Sequence, residues 1–215
     1  TMLYNIHQLD WDAQLLELLK VPKTLLPTVV ESSEKIGAIR LQNWDDEVLI
    51  SGIAGDQQAA LFGQLCFAPG EVKNTYGTGC FCVMNTGDDP VRSKNKMLTT
   101  IAWRINGQTS YALEGSVFIG GALIQWLRDG INMIESAQEI EALAETVQNN
   151  GGVTFISALT GIGAPYWDAK ATGALMGITR ETEKGHIARA ALEAIAMRSR
   201  EIILAMQKDA GIEYK

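Results

Sequence analysis

A carboxylate followed by an amide, Asp56-Gln57, stands where the apolar run Val48-Leu49-Ile50 passes through Ser51-Gly52-Ile53-Ala54-Gly55 into a helical pattern reaching Phe62. A buried strand, a tight turn and a helix capped by Asp56 are expected, and α/β proteins place their chemistry just beyond the carboxyl end of such a strand. Most Asp residues at this position simply cap the helix. The sharper reading of Asp56 is a general base: beside Gln57, whose amide both donates and accepts, a carboxylate can orient a hydroxyl and take its proton as the oxygen attacks an electrophile. The two readings are compatible, because a cap also holds the carboxylate still.

A second pattern is Thr75-Tyr76-Gly77-Thr78-Gly79-Cys80-Phe81. Its plain reading is a hairpin turn in which Gly permits positive φ. Its chemical reading is a phosphate cradle, with backbone N–H groups of Gly77 and Gly79 facing an anion and the Thr78 hydroxyl adding a donor. It is not a Walker A loop, since no Gly-Lys-Ser/Thr follows and no lysine is at hand. Gly121 and Gln125 share a helix face one turn apart, either for packing or so that a small residue and an amide meet a base or ribose. Tyr166, Trp167 and Asp168 read as loop anchors before substrate contacts. His7 and His186 are far apart and lack zinc-site spacing, and Cys80 and Cys82 point to one face of a strand as core residues, so no metal site is expected.

The elements that must position these groups follow from periodicity. A short helix is expected up to Lys20 with leucines at 15, 16, 18 and 19, and a strand at Ile36 to Leu41. Val72 to Tyr76, Cys80 to Asn85, Leu98 to Arg104 and Thr109 to Leu113 read as an antiparallel meander, the last two flanking the hairpin signal Asn106-Gly107. Helices are expected at Ser116 to Arg128, with Phe118, Gly121, Ala122 and Gln125 on one face, at Ala137 to Gln148, and at His186 to Ala210. Between them lie a strand at Val153 to Leu159, a long Gly-rich aromatic loop over 160–168, and a short apolar segment at Gly173 to Thr179. The class is α/β.

With 215 residues, 47% hydrophobic and 20% charged, the chain buries a substantial core. A net charge of −7 with no Lys/Arg run excludes an electrostatic footprint for nucleic acid and points to a small-molecule partner. No apolar window approaches the ~20 residues of a membrane span. Three cysteines make no disulfide framework and fit a reducing compartment, so a cytoplasmic location is expected. The two ends, Thr1-Met2 and a helix cap at Gly211 running toward a strand, read as those of an internal piece.

Taken together, the motifs resemble the FGGY family of sugar and polyol kinases, and within it the branch that phosphorylates glycerol. The likeness is carried by Ser51 to Gln64, by Lys73-Asn74-Thr75-Tyr76-Gly77-Thr78-Gly79-Cys80-Phe81, by Tyr111 to Gly115, by Ile124-Gln125-Trp126-Leu127-Arg128-Asp129 and by Gly161 to Asp168. It ends in Gly173 to Ile178 followed by His186 to Glu193, similar to the family's second signature. It implies an actin-like architecture of two ribonuclease-H-like domains with ATP and polyol in the cleft between them. Residues 1–64 would close the first domain and 65–215 open the second. By the resemblance Asp56 is the catalytic base and a glycerol contact, Gln57 a second glycerol contact and Phe81 an apolar wall. Gly77 and Thr78 hold the terminal phosphates of ATP, and Gly121 and Gln125 line the nucleotide site.

Mg²⁺ is carried in with ATP, the full-length enzyme is expected to be a homo-oligomer, and this piece alone is expected to be inactive. A sibling kinase acting on another polyol or sugar, and a non-catalytic actin-like nucleotide-binding module, are the rival readings. Where some family members bind fructose 1,6-bisphosphate through a Gly- and Arg-rich loop, this chain has the acidic stretch Ile39-Arg40-Leu41-Gln42-Asn43-Trp44-Asp45-Asp46-Glu47, which would repel a bisphosphate. Adding that sugar bisphosphate to the full-length enzyme is therefore expected to leave initial rates unchanged.

Overall fold

The computed structural model describes residues 2–212. Near its start β1 (Tyr4–Asn5) and β2 (Asp10–Trp11) pair as a short antiparallel ribbon, and α1 (Ala13–Leu19) follows. Asp12 caps α1 by accepting the Leu15 N–H at 3.0 Å. Leu16 is buried, whereas Leu18 and Leu19 remain exposed. A single turn of 3₁₀ helix, Lys23–Leu25, follows Pro22.

Next, β3 (Gly37–Arg40) and β4 (Glu47–Ile50) form a second antiparallel ribbon. The buried strand expected at Val48 to Ile50 is corrected here: every residue of β4 is exposed. An apolar run reports that a segment is apolar, not that anything in the same chain covers it. The chain then enters α2 (Asp56–Gly63), whose N-cap is Gly55 in extended conformation (φ −66°, ψ 153°). Asp56 is thus the first helical residue and not the cap. Its carboxylate is held sideways by the Gln57 amide, and a negative charge in the first turn suits the positive end of the helix dipole.

The central sheet is made of β5 (Val72–Tyr76), β6 (Cys80–Gly87), β7 (Leu98–Ile105) and β8 (Gln108–Val117), all antiparallel, in the order β5-β6-β8-β7. This is not the expected meander, because β8 returns between β6 and β7. The segment joining β6 to β7 is drawn away to the end of the last helix. There Asp209 accepts the Ser93 hydroxyl, the Lys94 N–H at 2.9 Å and the Asn95 side-chain amide at 2.7 Å. The slot beside β6 is left to β8. Asn106 and Gly107, at φ 52° and 77°, make the two-residue turn that their types predict.

The helix expected from Ser116 starts later, as α3 (Gly121–Asp129), because Ser116 and Val117 still pair with Phe81 and Cys80 in the β6–β8 ladder. Its buried residues are Leu123, Ile124 and Leu127, so the stripe of Phe118, Gly121, Ala122 and Gln125 is not the core face. Then come α4 (Glu139–Glu145), shorter than its pattern suggests, the antiparallel pair β9 (Thr154–Ile156) and β10 (Ala174–Met176), and α5 (Lys184–Ala210). The strand expected after Gly211 falls on residues outside those described. No described helix is long and apolar enough to cross a membrane.

Two cores sandwich the sheet. On one face Cys80, Cys82, Met84 and Leu113 pack with Leu123 and Leu127 of α3 and with Ile202 and Met206 of α5. On the other face Leu61 of α2 meets Cys66, Val83, Ala102 and Ala112, edged by T-shaped contacts of Phe62, Phe67 and Trp103. At Gly115 a Cβ would sit 2.6 Å from Ile202 Cγ2 and 2.8 Å from Met97 Sδ. Gly115→Val should therefore destabilise the fold by about 1–3 kcal/mol through overpacking, read as a lowered unfolding midpoint in denaturant. The three cysteines are free and buried, and burial pushes the Cys82 thiol up to about 12. Alkylating reagent at pH 8 should leave all three unlabelled until the protein is denatured.

Candidate active site

The site is built on the β5–β6 hairpin. Its register pairs Lys73 with Val83, Thr75 with Phe81 and Tyr76 with Cys80. Alternation then turns Lys73, Thr75, Phe81 and Val83 toward α2, while Asn74 and the two cysteines face α5, where the Asn74 amide donates to Ser199 Oγ at 3.1 Å. On the α2 side Lys73 is buried, at 4% exposure. Its Nζ donates to Gln57 Oε1, to Thr75 Oγ1 at 2.9 Å and to the Phe81 carbonyl at 3.2 Å. The Gln57 Nε2 in turn donates to Asp56 Oδ2 at 3.1 Å. Asp56 itself is exposed, and so is the Phe81 ring.

Glu114 stands in the same cross-strand row, opposite Val83. Burial lowers the Lys73 amine below its ordinary range, opposed by the charges of Glu114 and Asp56. Burial likewise raises the Glu114 carboxyl, opposed by Lys73 and reinforced by Asp56. Asp56, Gln57, Lys73 and Glu114 are thus one electrostatic cluster under an exposed carboxylate.

The turn at the hairpin's tip docks on the start of α3. Gly121 N–H donates to the Gly77 carbonyl at 2.8 Å, and the Gly120 and Ala122 N–H groups donate to the Thr78 carbonyl at 2.8 and 3.0 Å. Neither Gly77 nor Gly79 has positive φ; Gly79 serves close approach, whereas a Cβ on Gly77 would meet only the Gly79 carbonyl, at 3.7 Å. A Cβ on Gly79 would lie 2.5 Å from the Val117 carbonyl, and one on Gly121 2.8 Å from that of Gly77. Thr78 is exposed, and its hydroxyl makes no hydrogen bond among the described residues. Gln125, also exposed, lies one turn along α3 from Gly121 on the outward side.

The structure therefore groups Asp56, Gln57 and Phe81 around Lys73 at one end of the hairpin, and Gly77, Thr78, Gly121 and Gln125 at the other. Thr75 and Thr78 are separated by no more than about 10 Å of extended chain. One end offers a carboxylate to a hydroxyl, and the other offers a hydroxyl beside a tightly docked backbone turn. Sequence reasoning missed Lys73 and Glu114. The reading that no lysine is at hand is corrected: Lys73 is close, but its ammonium is aimed at Gln57 instead of the turn. The available signal was parity, since Lys73 shares a strand face with Thr75 and Phe81.

The aromatic loop is anchored as its composition suggests. Trp167 Nε1 donates to the Lys96 carbonyl at 2.9 Å, Arg198 Nη2 donates to the Ala164 carbonyl at 2.8 Å and lies over the Tyr166 ring, and Asp168 accepts the Lys170 N–H at 2.8 Å. His186 Nδ1 accepts the Glu183 N–H at 3.0 Å within the N-terminal cap of α5. Among the described residues no group of three or more His, Cys, Asp or Glu side chains is placed to hold a metal.

Comparison with known proteins places this geometry in context. Residues 1–63 match the N-terminal domain, and residues 72–215 the C-terminal domain, of the FGGY family of carbohydrate kinases. The chain is 58% identical over 215 residues to a glycerol kinase of Deinococcus radiodurans, covering all of this chain and 43% of that protein. It is 55% identical over 212 residues to one of Burkholderia pseudomallei, covering 99% and 42%. A crystal structure of Plasmodium falciparum glycerol kinase with ADP superposes with a TM-score of 0.91 at 36% identity, over all of this chain and 43% of that one. The chain thus spans less than half the length of these relatives, and its architecture is part of their actin-like, ribonuclease-H-like fold. The chain belongs to the FGGY family of carbohydrate kinases.

Proposed function

We propose that the full-length protein carrying this chain transfers the terminal phosphoryl group of ATP to a hydroxyl of glycerol. The observation that carries this reading is the placement of Asp56, at the start of α2 and linked through Gln57 to Lys73 of the β5–β6 hairpin, and of Thr78 at that hairpin's tip: an exposed carboxylate and an exposed hydroxyl able to donate to a phosphate. Asp56 accepts the proton of the attacking alcohol, Gln57 and Phe81 contact the polyol, and Gly77 and Thr78 hold the terminal phosphates. Gly121 and Gln125 line the nucleotide site along the outward face of α3. Mg²⁺ enters as part of the MgATP substrate. Phosphoryl transfer asks mainly for in-line positioning and relief of charge, and residues fixed by a sheet and a docked helix supply the positioning.

The reading includes a domain division near residues 64 and 65, supported by α2 ending at Gly63 and by the separate family matches on either side. It also includes a cytoplasmic, homo-oligomeric enzyme, with turnover belonging to the full-length protein and not to these residues alone. The loop at 39–47 has Arg40 as its one cation, paired with Glu47 at 3.2 Å, which supports the absence of bisphosphate inhibition.

The test is steady-state kinetics on full-length Asp56→Asn with glycerol and MgATP, beside a panel of other polyols and sugars. Turnover should fall by roughly 10²–10⁴-fold with ATP affinity retained. A non-catalytic nucleotide-binding module would have no turnover to lose, and a sibling kinase would prefer another member of the panel.

A further inference from the structure

We infer that Lys73 is a positioning residue for phosphoryl transfer: its buried ammonium fixes the Gln57 amide, and through that amide the orientation of the Asp56 carboxylate. The inference deepens the kinase reading above and rests on it. An ammonium has three protons and no lone pair. Each proton of Lys73 has a protein acceptor, in Gln57 Oε1, Thr75 Oγ1 and the Phe81 carbonyl, which leaves none to grip a phosphate. Because Lys73 can only donate, it fixes Gln57 with Oε1 inward. The amide's Nε2 must then face outward, where it meets Asp56 Oδ2. One carboxylate oxygen is occupied and the exposed Asp56 is held with the other available to a hydroxyl.

Burial argues that this arrangement has a use beyond packing. A buried ammonium is a costly way to fill space that an apolar side chain fills without desolvation. The cost is opposed by the charge of Glu114 in the same cross-strand row and by that of Asp56, with Cys66 and, across the sheet, Cys82 as the other titratable groups that act on the amine. Lys73 therefore joins the base to the polyol wall, since the same ammonium that orients Gln57 also holds the backbone that carries Phe81.

The experiment compares full-length wild type, Lys73→Met, Glu114→Gln and the double variant Lys73→Met/Glu114→Gln. Each is assayed for kcat and KM with glycerol and MgATP, and for thermal unfolding. Wild-type turnover on glycerol is the control on the underlying reading, and its absence overturns that reading and this inference together.

Given wild-type turnover, Lys73→Met should lower kcat about 10–100-fold with KM for MgATP within about twofold of wild type. Glu114→Gln removes the half-buried carboxylate whose charge opposes the desolvation of Lys73, so it should lower the unfolding temperature. The double variant leaves no unpaired buried carboxylate, so it should recover the unfolding temperature while kcat stays at least about tenfold low. A Lys73→Met enzyme with wild-type kcat, one whose loss lies in KM for MgATP instead of kcat, or a double variant that regains both stability and kcat would overturn the inference while leaving the kinase reading standing.

Discussion

The register of β5 against β6 is the constraint on which the rest of this chain depends. Side chains alternate along a strand, so a one-residue slip of β5 would turn Lys73 into the apolar core under α5, and one of β6 would turn Phe81 into it and Cys80 and Cys82 out toward α2. Both faces of β6 are covered, by Met84 and its neighbours on one side and by Val83 under Leu61 on the other. Either slip would bury a charge or expose a hydrophobe, and the two cores together reject both. The hairpin is thereby held in one arrangement by packing that lies outside the candidate site.

That arrangement separates two kinds of chemistry along one strand pair. Near α2 a buried ammonium orders an amide, and the amide holds an exposed carboxylate, with a second carboxylate in the same row. At the tip the contact is backbone against backbone, with glycines permitting an approach that no Cβ would allow. Charges that need fixing are set among side chains, and the turn is set by helix N–H groups. The two ends therefore tolerate different changes: side-chain substitutions at one, and none that adds a Cβ at Gly79 or Gly121 at the other.

Much of this was legible in the amino-acid order. The Asn106-Gly107 turn, the strands around Gly77-Thr78-Gly79 and the long helix ending at Ala210 follow from local pattern, whereas the candidate residues at positions 56, 57, 77, 78, 81, 121 and 125 take their proposed roles from the family resemblance as well. What was not legible depended on partners distant in sequence. Nothing local says that β8 inserts beside β6, since its ladder partners lie roughly thirty residues back along the chain and the connection before β7 is anchored on Asp209, more than a hundred residues away. The start of α3 was misjudged because Ser116 and Val117 satisfy helical spacing and strand pairing equally well, and the ladder to Phe81 and Cys80 decided between them. Exposure of β4 could not be read, because apolarity does not name its cover. Lys73 escaped notice because a lysine in a strand ordinarily marks an exposed edge.

The docking of the hairpin tip on α3 also sets how this region can vary in length. Three N–H groups at the start of α3 are satisfied by two carbonyls of the turn, and the turn is held by that bond pattern as a plug of fixed size. One extra residue between Tyr76 and Cys80 would withdraw those carbonyls and leave the helix end unsatisfied, whereas the exposed stretch between β3 and β4 can gain residues at the small entropic cost of a longer loop. Insertions and deletions are thus excluded from the tip and admitted at residues 41–46, so the turn acts as a fixed gauge against which the rest of the surface is free to be remodelled.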